Sequence, residues 1–227
     1  MKVKLLKKNR ETKDVFSFIF APDKPFEWKA GQFIFYKIPD ENEDERGITR
    51  HFTISSAPFE DNIMLTSKFD FEKGSSFKKA LFNLNVGNTI EAYSIKGKFI
   101  ISDYGKKYVF IAGGIGITPY RSILLDLEHK NKKLDIVLLY GNKDNEIVFR
   151  NELEQIKKNN ELLKIQYVIA PKIIDRYVIE SFVPDIENRL YYISGPFGMM
   201  KNIKNILLEM KVKTDNIKTD YFPGYDI

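Results

Sequence analysis

Two periodicities divide this chain. Through about residue 100, apolar residues come in short runs punctuated by proline, glycine and charge. Val15, Phe16, Phe18, Ile19 and Phe20 form one run, and Phe33, Phe35 and Ile38 lie in a second, after Ala30 and Gly31. Residues 63–69 and 89–95 form two more. Short strands with such turns predict a small antiparallel β-barrel. One helix is expected within it, over 75–84, because Phe77, Leu81 and Leu84 fall on one face. The first eight residues alternate lysine with apolar residues, a stretch too short and too polar for a signal peptide.

Beyond about residue 106 the pattern changes to alternating strands and helices. Strands are expected over 108–112, 134–140, 163–170, 190–194 and 216–222. Helices are expected over 119–130, 148–158, 177–182 and 198–210. This alternation predicts a parallel sheet with helices on both faces, which binds ligands at the carboxyl ends of its strands. Polar residues and Gly105 separate the two halves.

The first strand of the second half runs into Gly113, Gly114 and Gly116, then Thr118 and Pro119. Glycines allow a tight turn and close approach of a ligand. Thr118 suits a helix N-cap and Pro119 the first helical position. The helix start then offers amides to an anion such as a nucleotide phosphate. Taken alone, the segment reads equally well as a tight strand-to-helix connection. Gly141, Asn142 and Lys143, and Ser194, Gly195 and Pro196, fall at the same sheet edge, which favours the binding reading.

Composition narrows the chemistry. There is no cysteine, which removes disulfides, thiolate metal sites, iron–sulfur ligation and a thiol nucleophile from these residues. The two histidines, His51 and His129, lack metal-ligand spacing, and no metal is expected. No apolar run is long enough for a membrane span. A cytoplasmic address is expected. The 36 basic and 31 acidic residues leave a formal charge of +5. The dispersed lysines read as a solvated surface, or as a patch that steers an acidic partner. No nucleic-acid motif accompanies them. The acidic run from Asp40 to Glu45 reads as an exposed loop.

In the barrel half, Arg50, His51, Phe52 and Thr53 suit a ligand with both a phosphate and a flat ring. Arginine forks onto phosphate oxygens, an aromatic stacks, and a hydroxyl bonds a ring atom. A strand with its polar residues in water is the plainer alternative. These four residues resemble the Arg-x-Tyr-Ser/Thr flavin signature of the ferredoxin–NADP⁺ reductase superfamily, with phenylalanine for tyrosine. Gly74, Ser75 and Ser76 resemble its second FAD motif. Gly113 to Pro119 resembles its nicotinamide-nucleotide turn, and Ser194 to Met199 its Cys-Gly-Pro-x-x-Met motif. The order is the family's, and the similarity spans nearly the whole chain.

The resemblance implies an FAD-binding β-barrel over residues 1–103 and an NAD(P)-binding α/β domain over 104–227. It implies that Arg50 pairs with the FAD pyrophosphate, that Phe52 packs on the flavin and that Thr53 lies near N5, the hydride acceptor. Alternation places Arg50 and Phe52 on one side of their strand and Thr53 on the other. His51, Thr66, Lys68, Gly74, Ser75 and Ser76 complete the candidates for FAD. Gly113, Gly114, Gly116, Thr118, Gly141, Asn142, Lys143, Gly195, Pro196 and Met199 are the candidates for NADH or NADPH. Ser194 stands where the family often has cysteine near the nicotinamide. Asp220 and Phe222, with Tyr225 as alternative, stand for the family's terminal acid and aromatic. Thr53, Ser194, Asp220 and Phe222 are thus the catalytic candidates.

The implied activity is an NAD(P)H-dependent flavoprotein reductase that delivers electrons to a separate small carrier, such as ferredoxin, flavodoxin or a similar acidic protein. The rivals are a reductase of free flavin or ferric chelates, and a non-catalytic electron-transfer or nucleotide-sensing subunit. The loop from Gly141 to Glu146 carries both Lys143 and Asp144, so the choice between NADPH and NADH stays open.

Overall fold

In the β-rich half, strands β1 (Lys2–Arg10), β2 (Val15–Pro22), β3 (Phe33–Lys37), β4 (Thr49–Thr53), β5 (Ile63–Lys68) and β6 (Thr89–Lys96) form one antiparallel sheet in the order β4-β3-β6-β1-β2-β5. A bridge between Ile54 and Leu65 joins its two edges and closes the barrel. These features come from a computed structural model that describes residues 1–40 and 42–221, with Tyr221 as backbone alone. Inward residues such as Val3, Leu5, Phe18, Phe20, Ile34 and Tyr36 fill the barrel, and Phe77 and Leu81 of helix α1 (Ser76–Asn83) pack against them.

The second half holds β7 (Lys107–Gly113), β8 (Ile136–Asn142), β9 (Leu163–Ile169), β10 (Arg189–Gly195) and β11 (Ile217–Tyr221), all parallel, in the order β11-β10-β7-β8-β9. Helices α2 (Thr118–His129), α3 (Arg150–Asn159), α4 (Arg176–Phe182) and α5 (Phe197–Glu209) connect the strands. One core lies between the sheet and α2 with α3; a second lies on the opposite face under α4 and α5. This is the expected doubly covered sheet. The strand order reverses between β7 and β10, so the crevice at their carboxyl ends is where such a sheet accepts a ligand.

The sequence pattern did not assign one strand, and two local readings need correction. The lysine-rich N-terminus is a full strand, β1, lying between β6 and β2. Thr118 is not a cap: residues 114–117 form a 3₁₀ turn that runs directly into α2, and Thr118 is buried inside the helix. The acidic run is not merely a solvated loop, since Asp44 bonds to the start of α1.

The two glycine motifs interlock at the switch point. A Cβ on Gly116 would lie 2.3 Å from the Ser194 carbonyl oxygen and 2.7 Å from the Gly195 nitrogen. A Cβ on Gly113 would meet the Met199 sulfur at 2.5 Å. The obstacle at Gly116 is backbone in a central strand, which cannot yield as a flexible side chain would. Gly116→Ala is therefore expected to destabilise the fold by about 1–3 kcal/mol, read as a lower urea midpoint at unchanged m-value. An unchanged midpoint contradicts the crowding.

Candidate functional site

At the end of β4, Thr53 is buried and its hydroxyl stands near enough to the Asp220 carboxyl to favour its charged form. Asp220 stands opposite Ser194 in the parallel register of β11 and β10. The Ser194 hydroxyl and Asp220 Oδ2 are both buried without a hydrogen-bond partner. Unmatched buried polar atoms are costly, and their concentration in one crevice marks a place built for a polar ligand. Three of the four catalytic candidates thus meet between barrel and sheet. The fourth, Phe222, lies outside the described residues, as does Tyr225.

Tyr120, on the first turn of α2, is fully buried below this crevice. Its hydroxyl reaches the carbonyls of Ile111 at 3.0 Å and Tyr192 at 2.6 Å. Burial pushes the Asp220 carboxyl up to about 7, while the nearby Thr53 hydroxyl pulls the other way. Asp220 can therefore hold or release a proton near neutral pH.

Arg50 and Phe52 point the other way from Thr53, as alternation requires. Phe52 stacks on Phe77 with ring centroids 5.8 Å apart. Arg50 donates to the carbonyls of Arg46, Gly47 and Thr49, while its Nη2 is buried without a hydrogen bond. Ser75 caps α1 through Lys78 N–H at 3.3 Å. The Ser76 amide donates to Asp44 Oδ2 at 2.7 Å, and Ser76 Oγ accepts from the Asp44 amide at 2.9 Å. Arg46 forks onto the same carboxylate at 3.1 and 2.7 Å, and Arg50 Nη2 lies 3.9 Å from it. The hydrogen bonds from Arg46 and Ser76 hold the Asp44 carboxyl well below its usual range. A carboxylate thus rests on the α1 amide and beside the arginine expected to receive a phosphate. The cradle fits an anionic, two-oxygen group. Sequence reading missed Asp44 because its partner is 32 residues away.

The remaining candidates divide. Gly74 turns tightly against Asp70, whose carbonyl a Cβ would meet at 2.4 Å. His51 does not join Arg50: it packs between Phe33 and Phe35, at 4.9 and 5.4 Å. Thr66 bonds Ser17 at 2.8 Å inside the barrel sheet, and Lys68 pairs with Asp14 at 3.0 Å. Gly113, Gly195, Pro196 and Met199 pack together, and Gly114 (φ +51°) and Gly195 (φ +152°) use backbone angles that L side chains rarely adopt. Gly141 pairs with Gly113 across β7 and β8. Beside it the Asn142 side-chain amide nitrogen is buried and unbonded, and Lys143 is exposed. Asp144 is held by Lys13 at 2.8 Å.

The site thus sits where a closed antiparallel barrel joins a five-stranded parallel sheet with glycine turns at its switch point. Residues 110–205 match the oxidoreductase NAD-binding domain family. The chain is similar to the flavohemoprotein of Bacillus subtilis, 30% identical over 96% of the chain and 58% of the relative. It is also similar to the glycine betaine monooxygenase reductase subunit of Chromohalobacter salexigens, 26% identical over 90% of the chain and 59% of the relative. It spans about three-fifths of the length of these curated relatives. Among solved structures, the FAD/NAD-binding domain of nitric oxide dioxygenase from Vibrio cholerae superposes with a TM-score of 0.84 at 22% identity, covering 97% of this chain and 98% of that one. Ferredoxin–NADP⁺ reductase from Plasmodium falciparum superposes at 0.82 with 21% identity, covering 97% and 95%. Among the described residues no helix is long and apolar enough to cross a membrane, and no cluster suits a metal ion.

Asp220 yields a stability prediction with a definite sign. Its folded pKa is raised, so between about 4 and 7 the folded state holds a proton the unfolded chain has released, and stability falls as pH rises through that window. Asp220→Asn removes the titration, so its stability relative to wild type should improve from pH 5 to pH 8 by about 2 kcal/mol. Thermal melts at the two pH values check this. A difference that stays constant with pH contradicts the raised pKa.

Proposed function

We propose that this chain is an NAD(P)H-dependent flavoprotein reductase, with FAD on the barrel and the nicotinamide nucleotide on the parallel sheet. The observation that carries it is the meeting of Thr53, Asp220 and Ser194 at the switch point of the sheet, with Arg50 and the α1 amides on the reverse side of the same short strand. When bound, the flavin supplies a ring that takes hydride from nicotinamide and passes electrons onward. The chain supplies placement. Arg50 and the Ser75–Ser76 helix start hold the pyrophosphate, with Asp44 making way for it. Phe52 bounds one side of the flavin, and Thr53 sits beside its reacting edge. Gly74, Thr66 and Lys68 are kept as supporting FAD residues, and His51 as a neighbour that braces the strand.

On the coenzyme side, Gly113, Gly114 and Gly116 admit the dinucleotide to the start of α2, where Thr118 is part of the packed helix. Gly195, Pro196 and Met199 form the opposing wall. Gly141, Asn142 and Lys143 stand beside the ribose end. Ser194 orients the nicotinamide, and Asp220 completes the site. Burial lets Asp220 hold a proton on its carboxyl up to about pH 7, beside Thr53. This exclusion of water and fixed placement are the chain's contribution to rate.

Domain limits of 1–103 and 104–227, a cytoplasmic address and a small soluble electron carrier as partner belong to the same reading. The names of the oxygenase reductase subunit and of the ferredoxin–NADP⁺ reductase support an electron-accepting protein partner. The formal charge of +5 suits an acidic one. Arg50→Ala tests the core of the proposal. The variant should lose its flavin on gel filtration, with affinity down about tenfold or more, while wild type stays yellow and is bleached by NADH or NADPH without oxygen. Full retention of FAD by the variant, or a colourless wild type that refuses FAD, overturns the reading.

A further inference from the structure

Arg121, one turn into α2, is buried between the two halves and uses every N–H it has. Nε donates to Glu152 Oε2 at 2.6 Å, and Nη2 to Glu152 Oε1 at 2.8 Å and Glu60 Oε1 at 3.1 Å. Nη1 donates to Glu60 Oε2 at 2.9 Å and to the Ser55 carbonyl at 2.8 Å. The Phe149 ring lies 5.2 Å from its Cζ. The next residue adds a parallel tie, Ser122 Oγ donating to the Ser56 carbonyl at 2.6 Å. Glu60 is itself fixed, accepting the Ala57 amide at 2.7 Å.

The positions of these partners matter more than their number. Ser55 and Ser56 follow Thr53 by two and three residues. Arg121 and Ser122 follow Gly116 by five and six. One guanidinium therefore fastens the strand end that carries Thr53 to the helix that begins at the glycine turn. It also fastens both to α3, which follows the loop after β8. Beside it opens a cleft of about 760 Å³, lined by Glu11, Asn62, Met64, Glu146 and Arg150 among others, and by none of the expected cofactor residues. With open space on that side, the ion pairs carry the contact beside the cleft, and packing elsewhere, such as Phe59 stacked on His129 at 4.1 Å, adds to it.

We propose that Arg121 is a positioning residue: it fixes the separation between Thr53 and the glycine turn, and so the spacing of the two rings. This rests on the proposed reductase reading for the rings, and on the geometry above for the clamp. A planar fork serving two carboxylates and a carbonyl cannot be reproduced by an ammonium group. Arg121→Lys keeps the charge and loses the fork.

The absence of cysteine permits a direct test. Cysteines placed at Val86 and Tyr177, both well exposed on opposite halves, carry nitroxide labels in the FAD-loaded protein. The label distance should be narrow in wild type and broad in Arg121→Lys. Flavin reduction at saturating NAD(P)H should slow about tenfold or more, while FAD content and the coenzyme concentration at half-saturation change less than about threefold. Glu60→Gln carries the same measurements if the lysine variant fails to fold. An unchanged distance distribution overturns the clamp. A broadened distribution with an unchanged rate, or a rate loss that tracks loss of FAD, overturns the positioning role. If neither coenzyme bleaches wild type, the reductase reading fails, and the ring-spacing role with it, while the label distances still report whether the clamp exists.

Discussion

A buried guanidinium with five satisfied donors is the interaction on which the rest of this molecule depends. Barrel and sheet share apolar contacts, with Val15, Ala30 and Phe99 packed into the core beneath α2. What neither half can do alone is place Thr53 against the crevice at β7 and β10. Charges buried between two halves are costly unless every proton finds an acceptor. Arg121 meets that condition through Glu60, Glu152 and Ser55. The geometry is therefore specified sharply: a shift that strands one donor leaves a charge poorly compensated at low dielectric.

Given that separation, the chemistry follows from crowding and burial. Gly116 lets the backbone of α2's approach pass against the Ser194 carbonyl, and Gly195 and Gly113 close together from the other side. Glycine at 113, 114, 116 and 195 keeps Cβ atoms out of the switch point. The groups left facing it, Ser194 and Asp220, are buried and incompletely bonded. Burial moves Asp220 toward neutrality, which suits a site where charge changes during reaction. On the barrel side the Asp44 carboxylate occupies the anion position at the start of α1. The same amide and arginine are the phosphate holders of the proposed reading.

Local features were legible from sequence, and long-range partnerships were not. The glycine turn, the alternating strands and helices and the shared edge of three loops follow from short patterns. The register of Ser194 against Asp220 then follows from the sheet. β1 was obscured because its alternation breaks: the register shifts between Leu5 and Lys7, leaving Leu6 exposed and Lys8 over the Phe82 ring. Thr118 looked like a cap because threonine before proline usually is one, but the 3₁₀ turn already supplies the helix's first bonds. Asp44 and Arg121 escaped because their partners lie 32 and 31–66 residues away. Only a buried arginine directly after a glycine-turn motif could have hinted at the second.

The central claim is that two nucleotides share the crevice, rings face to face between Thr53 and Ser194. Stopped-flow bleaching of the FAD-loaded protein by NAD(P)H deuterated at the transferred C4 position tests it most directly. Ring-to-ring transfer predicts a primary isotope effect on the fast bleaching phase, on the order of 2 or more if chemistry limits that phase. Absence of bleaching by either coenzyme would contradict the account.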